Sequence, residues 1–340
     1  MGRTPEGEHL QTISESPNYG EGGFVNQIPT SMALDTGGTG SLLYDWLFKD
    51  NNTKPKSALP TAFSELKAEA DTASWAVWYG HSTVLLKMEG IKILIDPVFG
   101  PAASPVPLFT RRFKNNPKFG IDDIPEADIV VISHDHYDHL DYPTMKELAS
   151  RDVDFIVPLG IGSHLRRWGV SEERITEMDW WDSTEKLGIN FHAAPARHFS
   201  GRSVNDRNGT LWASWVIIGE TTKVYFSGDG GYSPAFKEIG DKFGPFDLCF
   251  LECGQYNFRW KDIHMMPEET VQANIDLGGK TMVPIHWGAF NLAPHEWTDP
   301  ADRVYKEAKR LGVDITIPII GQRIIIKNPA DTKAWWNEVD

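Results

Sequence analysis

Residues 134 to 139 read His-Asp-His-Tyr-Asp-His, which places three imidazoles and the Asp138 carboxylate within six positions, directly after the apolar run Ile129-Val130-Val131-Ile132-Ser133. Neutral imidazoles and an ionised carboxylate are the ligands that borderline divalent ions such as Zn²⁺ prefer. Without a metal, one loop holding four such groups would carry their repulsion and desolvation uncompensated; a polar surface loop is the alternative. Three more ligand types follow other apolar runs. His198 closes Phe191-His192-Ala193-Ala194-Pro195-Ala196-Arg197, Asp229 follows Val224-Tyr225-Phe226-Ser227-Gly228, and His286 follows Met282-Val283-Pro284-Ile285. A single histidine at such a place is more often a hydrogen-bonded structural residue. Together with the loop, these residues make seven ligands, the number that two metals sharing one bridging carboxylate would use.

These groups must be positioned by the elements before them. From Trp75 onward, short apolar runs alternate with Gly, Pro and Asp, the pattern of a sheet-rich α/β domain. The pattern predicts strands over 75–79, 84–88 and 91–96, with Glu89-Gly90 as the hairpin turn between the last two. Further strands are expected at 128–133, 154–157, 189–194, 211–218, 223–227, 248–252 and 281–285. Helices are expected at 143–150, 161–168, 234–243, 267–277 and 299–311, several of them opening on Pro in the first turn. The metal-capable residues fall at the carboxyl ends of these strands, where open α/β sheets gather ligands.

Composition narrows the partners. The 33 basic residues stand against 47 acidic ones, and the net charge of -14 repels a nucleic-acid backbone. The two cysteines, Cys249 and Cys253, would lie about 13 Å apart on one strand, too far to bridge, so they are expected to stay reduced. Nor do they form a CxxC metal site or a disulfide framework. The first 40 residues, rich in Gly, Ser, Pro and Glu, lack an apolar stretch long enough for a signal peptide or membrane span. They read as a loosely ordered arm of a cytoplasmic protein. Leu42, Leu43, Trp46, Leu47 and Phe48 form an apolar helical stripe that fits docking on the main domain better than lipid contact, and it could equally serve a homodimer. The division expected is an N-terminal arm over 1–70, a catalytic domain over 71–330 and a tail over 331–340.

The motif at 134 to 139, with His198, Asp229 and His286 in that order, resembles the metallo-β-lactamase superfamily. Trp78-Tyr79-Gly80-His81-Ser82-Thr83, Ile95-Asp96-Pro97-Val98-Phe99, Asp179-Trp180-Trp181 and Leu211-Trp212-Ala213-Ser214-Trp215 are similar to its N-acylphosphatidylethanolamine-hydrolysing phospholipase D branch. So are Gly228-Asp229-Gly230-Gly231-Tyr232-Ser233-Pro234-Ala235-Phe236, Arg259-Trp260, Pro267-Glu268-Glu269 and Ile285-His286-Trp287-Gly288. The similarity spans about residues 70 to 325. It implies an αββα sandwich of two mixed β-sheets flanked by helices. It also implies two Zn²⁺, with Mn²⁺ or Fe²⁺ as alternatives: one held by His134, His136 and His198, the other by Asp138, His139 and His286, with Asp229 bridging. A hydroxide between the metals would then attack a phosphodiester, and the chain has no GxSxG elbow to supply a serine instead.

Around this set the assignments carry alternatives. His81 is expected to orient Asp138 or another ligand through its ring N–H, or else to satisfy buried backbone. Arg202 resembles a basic family position that could pair with a phosphate, or it is an exposed loop charge. His264 matches a family histidine that could protonate a leaving alkoxide, or it caps a helix start. Arg111, Arg112, Lys114 and Lys118, with Leu108, Phe109 and Phe113, make a basic loop that could meet phospholipid headgroups in peripheral membrane contact, or a solvated loop. Trp180, Trp181, Trp212 and Trp215 are expected to fill the core between sheets rather than line an acyl tunnel. One departure from the vertebrate-type pattern is Glu252, an acid where that enzyme is apolar. Three functions therefore compete: a phosphodiesterase acting on N-acylphosphatidylethanolamine-type lipids, a zinc hydrolase of lactones, esters or β-lactams, and a metal-stabilised binding protein without catalysis. A flavodiiron oxidoreductase fits worse, because such sites replace a motif histidine by Glu and add a flavin domain.

Overall fold

The computed structural model describes residues 2–31, 52–62, 73–106 and 110–339. Two seven-stranded sheets carry the architecture. The first is built from β1 (Trp75–Trp78), β2 (Val84–Met88), β3 (Ile91–Ile95), β4 (Ile129–Val131), β5 (Asp154–Pro158) and β6 (Ile175–Met178). The second runs through β7 (Ser183–Lys186), β8 (Ile189–Ala194), β9 (Ser214–Ile218), β10 (Lys223–Phe226), β11 (Phe246–Glu252), β12 (Gly279–Ile285) and β13 (Asp314–Ile315), after which β14 (Arg323–Ile325) returns to pair with β1. The first sheet has the order β6-β5-β4-β3-β2-β1-β14 and the second keeps sequence order. Both are mixed: β3 to β6 and β10 to β13 are parallel, while the remaining pairs are antiparallel.

The burial of β4 shows why its run is continuously apolar. Ile129 and Val131 point into the core between the sheets, whereas Val130 and Ile132 pack on the outer face beneath α2 (Tyr142–Ala149) and α3 (Gly162–Trp168). Side chains that alternate between two buried faces leave no polar position, as central parallel strands require. On the second sheet α5 (Pro267–Leu277) packs between α4 (Ala235–Phe243) and α6 (Asp299–Leu311), and it covers β11 and β12 through Val271, Ala273 and Leu277. The order is helices, sheet, sheet, helices. Glu89 and Gly90 both have positive φ, 48° and 89°, and join Met88 to Ile91 as the two-residue turn that suits the twist of a hairpin. Trp180, Trp212 and Trp215 are buried in the core, and the Trp215 indole donates to Ile132 O at 3.0 Å, tying the second sheet to the end of β4. Trp181 is only half-buried, with Lys242 Nζ 4.5 Å from its ring centroid.

Both chain ends depart from expectation. Residues 7–14 form α1 (Gly7–Ser14), which buries Ile13, and Tyr19–Gly20 pairs with Gly23–Phe24 in a small hairpin whose Phe24 is fully buried. The early segment is therefore packed rather than loose. Its polar composition hides two well-placed apolar anchors and many bonds to the domain. The expected docking helix at 41–50 lies outside the described residues, as do Leu108 and Phe109. At the other end, Trp335 and Trp336 are 4% and 1% exposed and pack with Trp287, so 331–339 is a docked segment rather than a tail. Phe113 likewise belongs to the core, and Arg112 is tied to Gly100 O and Val98 O. No helix among the described residues is long and apolar enough to cross a membrane.

Candidate metal centre

Every one of the seven ligand-type residues lies just beyond the carboxyl end of a strand. His134, His136, Asp138 and His139 follow β4, His198 follows β8, Asp229 follows β10 and His286 follows β12. The loop after β4 turns tightly, with His139 N and Leu140 N both donating to His136 O. It then enters α2 through Asp141, whose side chain caps Thr144 N, with Pro143 in the first turn. The two sheets meet at the centre itself: His81 N donates to Trp287 O at 2.7 Å and His286 N donates to His81 O at 2.8 Å. His81, Asp96 and His286 all have left-handed backbones, with φ of 52°, 42° and 68°. Non-glycine residues hold that conformation at a cost, so their surroundings fix them there.

The donor atoms fall into two sets. His134 Nε2 lies 2.9 Å from His136 Nδ1, which lies 3.2 Å from His198 Nε2. Asp138, His139 and His286 gather beside them with His81. Between the sets stands Asp229. Its Oδ2 is 3.8 Å from His134 Nε2, 3.9 Å from His198 Nε2 and 3.1 Å from His139 Nε2, and its Oδ1 is 3.0 Å from His286 Nδ1.

Whether these donors suit a cation is decided by their other atoms. His198 spends Nδ1–H on Ile263 O at 2.9 Å, and His139 spends Nδ1–H on Asp96 Oδ2 at 2.7 Å. Their Nε2 lone pairs are thereby turned inward. His139 Nε2 and Asp229 Oδ1 are buried without a hydrogen bond, an expensive state for a protein to build unless something else meets them. Burial, reinforced by neighbouring imidazoles, pushes His134, His198 and His286 well below the ordinary histidine value, so these rings are neutral. Burial works to raise Asp138, but His139 and His81 outweigh it and hold the carboxyl well below its usual range. Burial also works to lower His139; Asp229, Asp138 and Asp96 together hold it well above its usual value. Neutral His134, His198 and His286 beside an ionised Asp138 are protonation states a divalent cation can use, and a cation bound here would displace the proton that the neighbouring acids hold on His139.

The expected supporting residues divide. His81 is buried beside the centre, where its Nε2 donates to Asp138 Oδ2 at 2.8 Å. His264 lines the cleft over the centre, with ring centroids 5.2 Å from those of both His198 and His286. Arg202 is a correction. Its guanidinium is buried behind the loop, donating to Asp135 O and Leu140 O and stacking over Tyr137 and Trp168, so it braces the loop and does not face substrate. A cation does line the cleft, namely Arg207. The cleft has a volume of about 620 Å³, with His136, Asp138, Asp229 and His286 on its floor and Phe199, Val204, Trp260 and Leu292 on its walls.

Three contributors escaped the residue-by-residue reading. Asp96, at the end of β3, holds His139 and also accepts from Ser133 N and Ser133 Oγ. Glu252, ending β11, accepts from His264. Asn26, in the early segment, donates to His198 O at 2.7 Å and accepts from His198 N at 3.1 Å. For Asp96 and Glu252 the available signal was a carboxylate closing an apolar strand. Asn26 gave none.

Comparison with known proteins agrees with this geometry. A family model described as a β-lactamase superfamily domain matches residues 92–287. An uncharacterised protein of Mycobacterium tuberculosis is 42% identical over 334 residues, covering 96% of this chain and 89% of that one. N-acyl-phosphatidylethanolamine-hydrolyzing phospholipase D 1 of Caenorhabditis elegans is 35% identical over 248 residues, covering 69% of this chain and 70% of that protein. Among solved structures, Igni18, a metallo hydrolase from the archaeon Ignicoccus hospitalis, superposes with a TM-score of 0.56 at 20% identity over 74% of this chain and 98% of its own, a likeness of fold.

Proposed function

Because this chain belongs to the metallo-β-lactamase superfamily of metal-dependent hydrolases, on its N-acylphosphatidylethanolamine-hydrolysing phospholipase D-like branch, we propose that it cleaves a phosphodiester of the N-acylphosphatidylethanolamine type. The products would be an N-acylethanolamine and phosphatidic acid. The observation that carries this reading is the pairing of two three-donor sets across Asp229 on the floor of one cleft. His134, His136 and His198 would hold one metal, Asp138, His139 and His286 the other, and Asp229 would lie between them. The mixed imidazole and carboxylate donors suit Zn²⁺. A bound pair of such ions supplies a water-derived nucleophile at neutral pH and neutralises the non-bridging oxygens of a phosphodiester.

The chain's own residues do the rest. Asp96, His81 and Ile263 O fix the ring orientations of the donors and the direction of Asp138. Arg207 offers the cleft a positive charge for a phosphate, the job Arg202 is too buried to perform. Phe199, Val204, Trp260 and Leu292 offer apolar surface to acyl chains, which supports a lipid reached by peripheral contact with a membrane. His264 stands where it can give a proton to the leaving oxygen.

Metal counting with product analysis tests the reading. The expectation is two metal ions per chain and release of N-acylethanolamine from vesicles containing N-acylphosphatidylethanolamine. Asp229→Ala should lose metal and roughly a thousandfold in rate, because each 1.36 kcal/mol of lost transition-state stabilisation is tenfold. Turnover of a lactone with no phosphodiester cleavage would sink the reading, as would one metal per chain or full activity in the variant.

A further inference from the structure

We infer that Glu252 is a positioning residue for hydrolysis: its carboxylate ties the Asp229 loop to His264 and fixes which imidazole nitrogen His264 turns toward the scissile bond. The inference rests on the phosphodiesterase reading above.

Glu252 closes β11 and is 0% exposed. A carboxylate in the interior is costly unless its oxygens are met. Here Oε1 accepts from Gly230 N at 3.2 Å and Met265 N at 2.9 Å, and Oε2 accepts from His264 Nδ1 at 3.1 Å. The backbone is fixed as well: Glu252 N donates to Ser227 Oγ, and Glu252 O accepts from Thr270 Oγ1. Gly230 directly follows Asp229, and Met265 directly follows His264. One side chain therefore holds the residue after the shared carboxylate and the residue after the cleft histidine, together with the histidine itself. An apolar residue would serve packing between β11 and its neighbours without any of these bonds. What the acid adds is an acceptor for Nδ1–H, which leaves Nε2 as the nitrogen available to the cleft.

The step this arrangement serves balances as follows. The phosphorus–oxygen bond to the leaving group breaks with its electron pair on that oxygen, which takes the proton from His264 Nε2. Water supplies the oxygen of the new phosphorus–oxygen bond and keeps one proton on it, while its other proton passes to solvent. His264 is left neutral, still donating Nδ1–H to Glu252, and regains a proton from water in the cleft.

Two phosphodiesters separate this role from a merely structural one. In N-acylphosphatidylethanolamine the leaving alkoxide needs a proton; in a p-nitrophenyl phosphodiester the phenolate leaves without one. Glu252→Gln keeps shape and backbone bonds but presents His264 with an amide NH₂ in place of the accepting carboxyl oxygen. Its kcat on the lipid should fall about a hundredfold, within the usual range for general acid catalysis, with KM nearly unchanged and far less than a tenfold fall on the aryl ester. Metal content should match wild type, and adding Glu252→Gln to His264→Gln should cost no further activity. Equal falls on both substrates, additive losses in the double variant, or loss of metal would overturn the inference. If wild type cleaves neither ester, the phosphodiesterase reading falls, and the Glu252–His264 link is decided by imidazole ¹⁵N spectra. A protonated His264 Nδ1 whose signal moves in Glu252→Gln retains the link; an unchanged signal removes it.

Discussion

At the scale of single residues, the candidate centre depends on hydrogen bonds that orient its donors from behind, as at His139, His198 and Asp138. Asp96 is the clearest case, because its Oδ2 receives the Nδ1–H of His139 while its other bonds go to Ser133. Asp96→Asn keeps the shape but offers the imidazole either a weaker acceptor or a competing donor. Metal affinity should fall about 10–100-fold, measured by chelator competition, while the folded fraction stays at wild-type level. An affinity equal to wild type would mean that His139 is oriented by packing alone. The candidate ligands were legible in the chain because four of them crowd into six positions and the others close apolar runs. Asp96 and Glu252 were not, since their importance lies in partners 43 and 12 residues away. Arg202 was misread because sequence shows a charge near the motif and not the direction it faces. The aromatic faces of Tyr137 and Trp168 and the carbonyls of Asp135 and Leu140 capture it behind the loop.

Among the elements, central strands and long helices announced themselves by apolar runs and proline starts, so α5 and α6 fall where the pattern put them, at Pro267–Leu277 and Asp299–Leu311. Edge pieces did not. β7, Ser-Thr-Glu-Lys, exposes alternate residues at the rim of its sheet and has no apolar signal, and α1 buries only Ile13. What holds α1 is polar: Glu177 on β6 lies 2.8 Å from His9 Nε2 and 3.3 Å from Arg166 Nη2, and it accepts from Gly160 N and Gly162 N. Burial works to raise the Glu177 carboxyl, but these partners hold it below its ordinary 4.5. A depressed folded-state value means that this stabilisation is complete above pH 4.5 and is lost as pH falls through the folded value. Glu177→Gln should therefore destabilise the protein by about 1.5–3 kcal/mol at pH 7, as expected for hydrogen bonds to a charged group. Urea midpoints should show the gap closing below pH 4. A constant gap across that range would remove the ionic explanation.

Across the whole molecule, the candidate centre lies on the seam between two sheets that each bury one face against the other. The first sheet contributes His134, His136, Asp138 and His139, the second His198, Asp229 and His286, and the early segment grips His198 through Asn26. Direct bonding across the seam at this end comes from the reciprocal pair between His81 and the His286–Trp287 backbone, from Ala213 N on Ser133 O and from the Trp215 indole on Ile132 O. His139 Nε2 stands 3.1 Å from Asp229 Oδ2 and 3.7 Å from Asp138 Oδ2, and a cation bound among these groups would take the place of the proton that His139 holds against the two acids. A metal bound here would favour the assembled sheets over the unfolded chain, which has no preformed site. The expected size follows from mass action: free metal at a hundred times its dissociation constant adds about 2.7 kcal/mol. Stripping with a chelator should therefore lower the midpoint of thermal unfolding by several degrees, and restoring Zn²⁺ should recover it. The shift should shrink as pH falls below 6, because protons then compete for the same imidazole lone pairs. A midpoint indifferent to chelator and to added Zn²⁺ would show that packing and these hydrogen bonds alone hold the seam, and that the seven residues carry no metal that contributes to folding.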